Sequence, residues 1–289
     1  MKTTIKQESV LIEFLEKHYP DSPLTRIRKL LKSGKIRING RKVTLHSFRL
    51  KPGDVFEVIS QKERPSSEIM PFRVLYEDDT VIVIDKPAGL PTSDTGAARN
   101  VMGVINETFE EQKGPRQRVF VVHRLDKEVS GVLLFAKTRE AMEIIKERWK
   151  ETTKHYFAFV EGRPEKDEGT IESWLIEDKS QKVHSTFERE GAKFSVTRYR
   201  VIKYVNNNTL LDVTTLTGRN NQIRVHMSDM GCPIAGDRKY GASATFRRRV
   251  RLHACSLAFP HPVTGEEITV TSPMPRGFLV LDDRDEHYK

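Results

Sequence analysis

The chain has 289 residues, 37% hydrophobic and 31% charged, and its apolar runs are far too short to span a bilayer. Its 49 lysines and arginines outnumber 40 acidic residues, and this net charge of +9 favours a polyanionic partner. Cys232 and Cys255 provide neither metal-ligand spacing nor a disulfide framework, and the N-terminus lacks a signal-peptide pattern. We therefore expect a cytoplasmic monomer that uses no metal, no organic cofactor and no membrane.

The first 60 residues have the pattern of a separate module of two helices and a small sheet. Apolar residues at helical spacing in SVLIEFLEKHYP predict a helix that Pro20 ends, and Leu24–Leu31 repeats the pattern. Asn39-Gly40 predicts a hairpin turn, and DVFEVIS predicts a strand. Basic residues cluster between Arg26 and Lys42.

A polar stretch with two prolines, residues 61–71, predicts a linker. From residue 72 to residue 289, short strand-like runs alternate with Gly and Pro turns, and Thr138–Lys150 has helical periodicity. This pattern predicts an α+β domain with a mixed, mainly antiparallel sheet and flanking helices.

Three stretches of this domain combine polar side chains with apolar strands. In the first, Asp126 lies in a polar loop between two apolar runs, where a rigid scaffold holds functional side chains. The second places Tyr156 on a strand, and the third contains Arg224 after a glycine turn. The stretches are HRLDKEVSGVLLFAK (His123–Lys137), KHYFAFVEG (Lys154–Gly162) and LTGRNNQIRVHMSDMGCPIAGDRKYG (Leu216–Gly241).

These residues resemble the RluA-type pseudouridine synthases, a family of RNA-modifying isomerases. The ordered matches run from residue 72 to about residue 278, which makes coincidence implausible. The N-terminal module resembles the small α-L RNA-binding domain often appended to these enzymes. The motifs are H-R-L-D-x-x-[TV]-S-G at His123–Gly131, D-K-P-x-G at Asp85–Gly89, K-x-Y-x-A at Lys154–Ala158, and G-R-x-x-Q-I-R-V-H followed by G-x-P-I-x-G-D-x-x-Y-G within Gly218–Gly241.

The resemblance implies a role for each of three residues. Asp126 is the catalytic carboxylate, and Arg224 pairs with it and lowers its pKa. Tyr156 is the ring on which an extruded uracil stacks. The carboxylate acts either as a nucleophile at the sugar carbon or as a base toward a sugar proton, and both routes stay open.

The partner implied is structured RNA, with large-subunit (23S) ribosomal RNA expected first and transfer RNA second. Arg124 fills the space vacated by the base, and His123 organises the loop or contacts RNA. Arg247–Arg251 suits phosphate contacts or a solvated face. The sequence departs from many relatives at Asn220-Asn221, where Thr-His is common, and at Val129, where Thr is common. The candidate RNA contacts are His123, Arg124, Arg219, Asn221 and Gln222 in the larger domain and Arg26, Lys29, Arg37 and Arg41 in the N-terminal module.

Two other functional classes are compatible with the composition. The first is a catalytically inactive RNA-binding or ribosome-assembly protein, which would not need Asp126, Tyr156 and Arg224 together. The second is a hydrolase, either a nucleosidase or a nuclease, which would need a second positioned acid or a cluster of acidic metal ligands. Asp78-Asp79 is the available candidate, but Glu77–Thr80 fits a turn between strands better.

Overall fold

A computed structural model of the chain describes residues 2–19, 27–28, 31, 36–58, 70–93, 99–113, 118–243 and 249–280. The chain divides into two compact units, Met1–Ser66 and Ser67–Lys289, and each has its own hydrophobic core. Within the described ranges, no helix is both long enough and apolar enough to cross a membrane.

The N-terminal unit packs α1 (Leu11–His18) against short antiparallel strands. Leu11 and Leu15 of α1 are fully buried in a core that includes Phe56. Asn39 and Gly40 have φ values of 50° and 78°, the positive values that a tight hairpin turn demands, so the predicted hairpin is confirmed. The strands are β1 (Lys2–Thr4), β2 (Ser9–Val10), β3 (Ile36–Ile38), β4 (Arg41–Lys42), β5 (Arg49–Leu50) and β6 (Val55–Val58).

The basic residues proposed as RNA contacts in this unit are only partly described. Arg26, Lys29 and the side chain of Arg41 lie outside the described residues. Arg37 lies on β3 opposite Glu57 of β6, and its side chain is half-buried. An RNA-binding role for these four residues therefore stays a prediction.

The larger unit is built on one eleven-stranded sheet. Its described pairings are antiparallel except for β10 with β16, which run parallel, so the predicted α+β class with a mainly antiparallel sheet is confirmed. The strands are β7 (Arg73–Glu77), β8 (Val81–Lys86), β9 (Phe120–Val121), β10 (Ser130–Ala136), β11 (Thr153–Glu161), β12 (Glu168–Glu177), β13 (Val183–Thr186), β14 (Lys193–Val205), β15 (Asn208–Thr215), β16 (Leu252–Pro260) and β17 (Glu267–Thr271). Their order is β13-β12-β14-β15-β11-β16-β10-β8-β7, with β17 beside β16 and β9 beside β10.

Within the described part of this unit, three helices flank the sheet: α2 (Val101–Lys113), α3 (Arg139–Glu147) and α4 (Gln222–Asp229). The hydroxyl of Thr138 accepts the Ala141 amide at 3.0 Å and caps α3. The predicted helix over 138–150 is shorter than expected, because α3 ends at Glu147 and a 3-10 turn, Trp149–Glu151, follows. Helix α2 is not predicted by the sequence analysis.

The central strands β8 and β10 are buried on both faces. Ile82 and Leu133 face one core cluster with α2, while Val83 and Leu134 face a second cluster with α3. Alternate residues of a strand point to opposite faces, so a continuous apolar run is what a doubly covered strand requires.

Gly131 brings the loop that carries Asp126 to the centre of the sheet. It lies opposite Ala254 of β16, and Ala254 lies opposite Tyr156 of β11. Gly131 has a φ of 116°, and a Cβ atom there would lie 2.1 Å from the Ala254 carbonyl oxygen, so only glycine fits. Asp126 is thereby placed near Tyr156, although 30 residues separate them in the chain.

Candidate active site

The loop that precedes β10 is held by hydrogen bonds on both sides of Asp126. The buried Thr92 donates its hydroxyl to the Leu125 carbonyl at 2.8 Å and accepts the Leu125 amide at 3.1 Å. On the other side, the Gly89 amide donates to the Lys127 carbonyl at 2.7 Å. The backbone that carries the carboxylate is therefore fixed before any ligand arrives, which is the preorganisation that a catalytic group needs.

Lys86, the last residue of β8, is the second support of this loop and is fully buried. Its ammonium donates to the carbonyls of Pro87, Leu90 and Lys127 at 2.9, 2.7 and 3.2 Å. Burial lowers the pKa of Lys86 to about 8, against the opposing effect of the nearby Asp126 charge. The D-K-P-x-G segment thus braces the Asp126 loop, a role that the sequence motif alone does not assign.

Asp126 forms an ion pair with Arg224 of α4, as expected. Nη1 of Arg224 donates to Oδ2 of Asp126 at 3.1 Å, while Nε and Nη2 donate to the two carboxylate oxygens of Asp237 at 2.6 and 2.8 Å. The side chains of Arg224 and Asp237 are 6% and 1% exposed. The two hydrogen bonds to Asp237 therefore fix the position and the orientation of the guanidinium. Its third nitrogen, Nη1, is left to donate to Asp126. Asp237 is not among the site residues predicted from the sequence, although it lies within the matched G-D-x-x-Y-G segment.

The start of α4 depends on two neighbouring amides. Asn221 has a φ of 52°, a left-handed conformation that asparagine tolerates, and its Oδ1 accepts Nη1 of Arg224 at 3.0 Å. Gln222 is 3% exposed, and its Nε2 donates to the Val196 carbonyl and the Thr197 hydroxyl, both at 2.9 Å. Its oxygen accepts two further hydrogen bonds. Because its whole amide is used inside the fold, this geometry favours a structural role for Gln222 over the predicted RNA contact.

Burial dominates the charge state of Asp126 and raises the pKa of its carboxyl above the ordinary value. Arg224 lowers the pKa, as predicted, but the loss of hydration outweighs it, and the charges of Glu128 and Asp237 add to the rise. The carboxylate is weakly solvated, which increases its basicity and nucleophilicity once it is ionised.

Tyr156 lines the same cleft as Asp126. A β-bulge lies opposite Tyr156 on β16, where Cys255 is the extra residue, because His155 pairs with Ser256 while Tyr156 pairs with Ala254. Burial and the nearby charge of Asp126 raise the pKa of Tyr156 to about 12. The phenol is therefore neutral and offers an aromatic surface rather than an acid.

His123 organises the loop from within. Its Nε2 accepts the Leu134 amide at 3.1 Å, and its ring stacks on Trp149 with 4.8 Å between ring centroids. Burial lowers the pKa of His123 to about 3, so the ring is neutral, with its proton on Nδ1. Of the two roles predicted for His123, the geometry favours the loop organiser.

The cleft around Asp126 has a volume of about 1020 Å³ and a cationic lining. Eight lysines and arginines line it against four acidic residues. Arg124 and Arg219 are both exposed at this cleft, and Arg219 is anchored by a hydrogen bond from Nε to the Phe194 carbonyl at 3.1 Å. This surface is complementary to a phosphate backbone.

The described part of the Arg247–Arg251 run is used within the fold. Nη1 of Arg251 donates to the Gly277 carbonyl at 2.8 Å, and Arg249 lies over the ring of Phe278 at 5.7 Å from its centroid. Arg247 and Arg248 lie outside the described residues. These contacts favour a structural role for Arg249 and Arg251 over the solvated or phosphate-binding face that the sequence suggests.

The raised pKa of Asp126 predicts that Asp126→Asn stabilises the protein at neutral pH. The folded state binds a proton more tightly than the unfolded state, so wild-type stability falls as the pH rises above the ordinary aspartate value of 3.8. We expect the variant to have a higher melting temperature than wild type at pH 7. This gain should vanish below pH 3.8. Calorimetry across this pH range checks it, and a variant that is less stable than wild type at pH 7 would contradict the assignment.

Comparisons with known proteins agree with this geometry. The RNA pseudouridylate synthase family model matches residues 80–229, and the S4 domain model matches residues 11–56. An uncharacterized RNA pseudouridine synthase of Bacillus subtilis is 34% identical over 96% of this chain and 94% of its own length. The ribosomal large subunit pseudouridine synthase C of Rickettsia felis is 32% identical over 92% of this chain and 93% of its own length.

Among solved structures, human RNA pseudouridylate synthase domain containing 4 superposes with a TM-score of 0.62 at 25% identity. The alignment covers 72% of this chain and 90% of the human one. The family match spans more than half of the chain and contains Asp126, Tyr156 and Arg224. The chain therefore belongs to the RluA-type family of RNA pseudouridine synthases, isomerases that convert uridine to pseudouridine in RNA, and it carries an N-terminal S4 RNA-binding domain.

Proposed function

We propose that this enzyme isomerises uridine in 23S ribosomal RNA and that Asp126 is its essential carboxylate. The observation that carries the proposal is the meeting of Asp126, Arg224 and Tyr156 in one cationic cleft. A carboxylate supplies the reactive group, a guanidinium holds it in place, and an aromatic ring offers a surface for a planar base. A protein that only binds RNA has no use for a partly desolvated carboxylate that is paired with a guanidinium in the cleft that Tyr156 lines.

The reaction needs the target uridine outside its stack, as for other enzymes that act on bases. Stacking on Tyr156 would contribute about 1–3 kcal/mol, and Arg124 would enter the space that the base leaves. Asp126 then attacks the sugar carbon or removes a sugar proton, the glycosidic bond to nitrogen breaks, and the base rejoins through carbon. Both routes need the ionised carboxylate, so activity should rise with pH along an acid limb above the ordinary aspartate range.

A hydrolytic reaction is disfavoured by the position of the acid considered for it. Asp78 lies in the turn between β7 and β8, where its carboxylate accepts hydrogen bonds from the amides of Thr80 and Val81 and from the Tyr76 hydroxyl. It is not among the residues that line the Asp126 cleft. Asp78 thus stabilises the turn between the two strands, which is the role that the sequence pattern indicates.

The ribosomal target is supported by relatives named ribosomal large subunit pseudouridine synthase C, which align over nearly their whole length. The test is tritium release from unmodified transcripts of 23S ribosomal RNA and transfer RNA labelled at carbon five of uridine. We expect release from the 23S transcript, with pseudouridine in the digest and no free uracil. Release from transfer RNA alone would overturn the target, and free uracil would overturn isomerisation.

The S4 unit is expected to contribute affinity rather than chemistry. Removal of residues 1–66 should weaken binding to the 23S transcript and flatten its salt dependence, because basic residues of this unit would no longer displace counterions. The single-turnover rate at saturating enzyme should stay near that of the full chain. Filter binding at several salt concentrations, with single-turnover tritium release, checks the prediction. A collapse of the saturating rate in a folded truncated protein would show that the unit takes part in chemistry.

A further inference from the structure

Lys154 differs from the other shielded lysines of the larger unit because its ammonium has neither a carboxylate partner nor a set of carbonyl acceptors. Among the residues that the structure describes there, three lysines are buried or half-buried: Lys86, Lys137 and Lys154. Lys137 pairs with Glu77, and Lys86 donates to three carbonyls. Lys154 donates to the hydroxyl of Thr152 at 2.8 Å, and no described acid lies within ion-pair distance. A shielded cation without an anionic partner is costly unless a ligand supplies the anion.

The ammonium of Lys154 is held in a fixed position. It lies 4.8 Å from the centroid of the Trp149 ring, and that ring is itself stacked on His123. An ammonium has three N–H donors, and Thr152 accepts one of them. The remaining donors are available on the wall of the Asp126 cleft, which Lys154 lines.

Lys154 and Tyr156 are two residues apart on β11, so their side chains leave the same face of the strand, about 6.6 Å apart. Both line the cleft that contains Asp126. A base on the Tyr156 ring would therefore have its sugar–phosphate chain within reach of the Lys154 ammonium.

We propose that Lys154 binds a phosphate of the RNA chain next to the extruded uridine and so holds that nucleotide over Asp126. The inference rests on the proposed function, because it takes RNA as the ligand of this cleft. The phosphate supplies the anion that the protein lacks, and a charge-assisted contact in a partly desolvated site is stronger than one on open surface. Lys154 is thus a positioning residue that acts through the backbone of the substrate.

The alternative role is purely structural, with the side chain serving as packing for Trp149. Lys154→Met keeps a flexible apolar stem against the ring and removes only the charge. Lys154→Arg restores the charge, and Lys150→Met is the matched control, since Lys150 is exposed and does not line the cleft. Lys154→Gln replaces Lys154→Met if the methionine variant does not fold.

The experiment measures binding of each full-length variant to the 23S transcript at several salt concentrations, together with single-turnover tritium release. For Lys154→Met we expect binding that is about tenfold weaker. The slope of log affinity against log salt concentration should also be smaller in magnitude by about 0.7–0.9, the value for one lost phosphate contact. The half-saturating enzyme concentration should rise while the saturating rate changes little. Lys154→Arg should recover most of the affinity, and Lys150→Met should match wild type.

An unchanged affinity and an unchanged salt slope in a folded Lys154→Met or Lys154→Gln protein would overturn the inference. So would failure of Lys154→Arg to recover any affinity, because a phosphate contact depends on charge. These outcomes are distinct from failure of the proposed function, which would appear as no tritium release from any transcript by the wild-type enzyme. The binding comparison does not depend on turnover and stands in either case.

Discussion

Arg224→Met is expected to lower the free energy of unfolding by about 3–5 kcal/mol, because it leaves the buried carboxylate of Asp237 without its partner. The same change removes the one cation in contact with Asp126 among the described residues. The pKa of Asp126 would rise further, and less of the enzyme would hold an ionised carboxylate at neutral pH. We therefore expect activity to fall by about 10²–10⁴-fold, the range associated with a displaced acid–base group. Urea unfolding and single-turnover tritium release measure the two effects.

A second substitution separates the loss of stability from the loss of chemistry. Arg224→Met combined with Asp237→Asn removes the uncompensated charge, so most of the stability should return. Activity should stay as low as in the single variant, because Asp126 still lacks its guanidinium. Recovery of activity along with stability would contradict a direct role for Arg224 at the carboxylate.

Thr92→Val is expected to lower the free energy of unfolding by about 2–3 kcal/mol, although it changes the volume of the side chain very little. The substitution leaves both the amide and the carbonyl of Leu125 without their partner in a buried site, and each unpaired group carries a desolvation penalty. Leu125 directly precedes Asp126, so the carboxylate should also lose its fixed position. We expect about a hundredfold lower single-turnover rate at a temperature where the variant is folded.

Thr108→Val is the matched control for this variant. Thr108 is also buried, and its hydroxyl donates to the Val104 carbonyl at 2.8 Å within α2, where a helical hydrogen bond is available to the same carbonyl. It should lose little stability and no activity. Equal rates for folded Thr92→Val and Thr108→Val would show that the Leu125 clamp does not position Asp126.

The parts of the fold that the sequence predicts are those in which local pattern and tertiary environment agree. The Asn39-Gly40 hairpin follows from turn chemistry, and Thr138 marks the start of α3 because its hydroxyl is a good cap. Helix α2 is missed because its apolar residues, such as Ile105 and Phe109, are spaced like those of many short segments, and packing against the sheet decides its structure. The parallel pairing of β10 with β16 joins residues more than 120 positions apart, which no local pattern predicts.

The candidate site shows the same division. The ordered motifs identify Asp126, Tyr156 and Arg224 as candidate site residues, and in the structure all three line one cleft. The residues that hold this site in place, Thr92 and Asp237, cannot be predicted from the sequence, because they act through contacts between segments that are distant in the chain. The lowering effect of Arg224 on the pKa of Asp126 follows from the motif, whereas the larger and opposite effect of burial does not, since a charged partner is visible in a motif and the depth of burial is not.

The most direct test of the account is the amount of pseudouridine formed in a labelled RNA transcript by wild type, Asp126→Asn and Glu128→Gln. Glu128 is the matched carboxylate, since it is two residues away and 3.7 Å from Nη1 of Arg224. We expect Asp126→Asn to fold, to bind RNA and to form no pseudouridine, while Glu128→Gln retains most of the wild-type activity. Pseudouridine formation by a clean Asp126→Asn preparation would contradict the central claim.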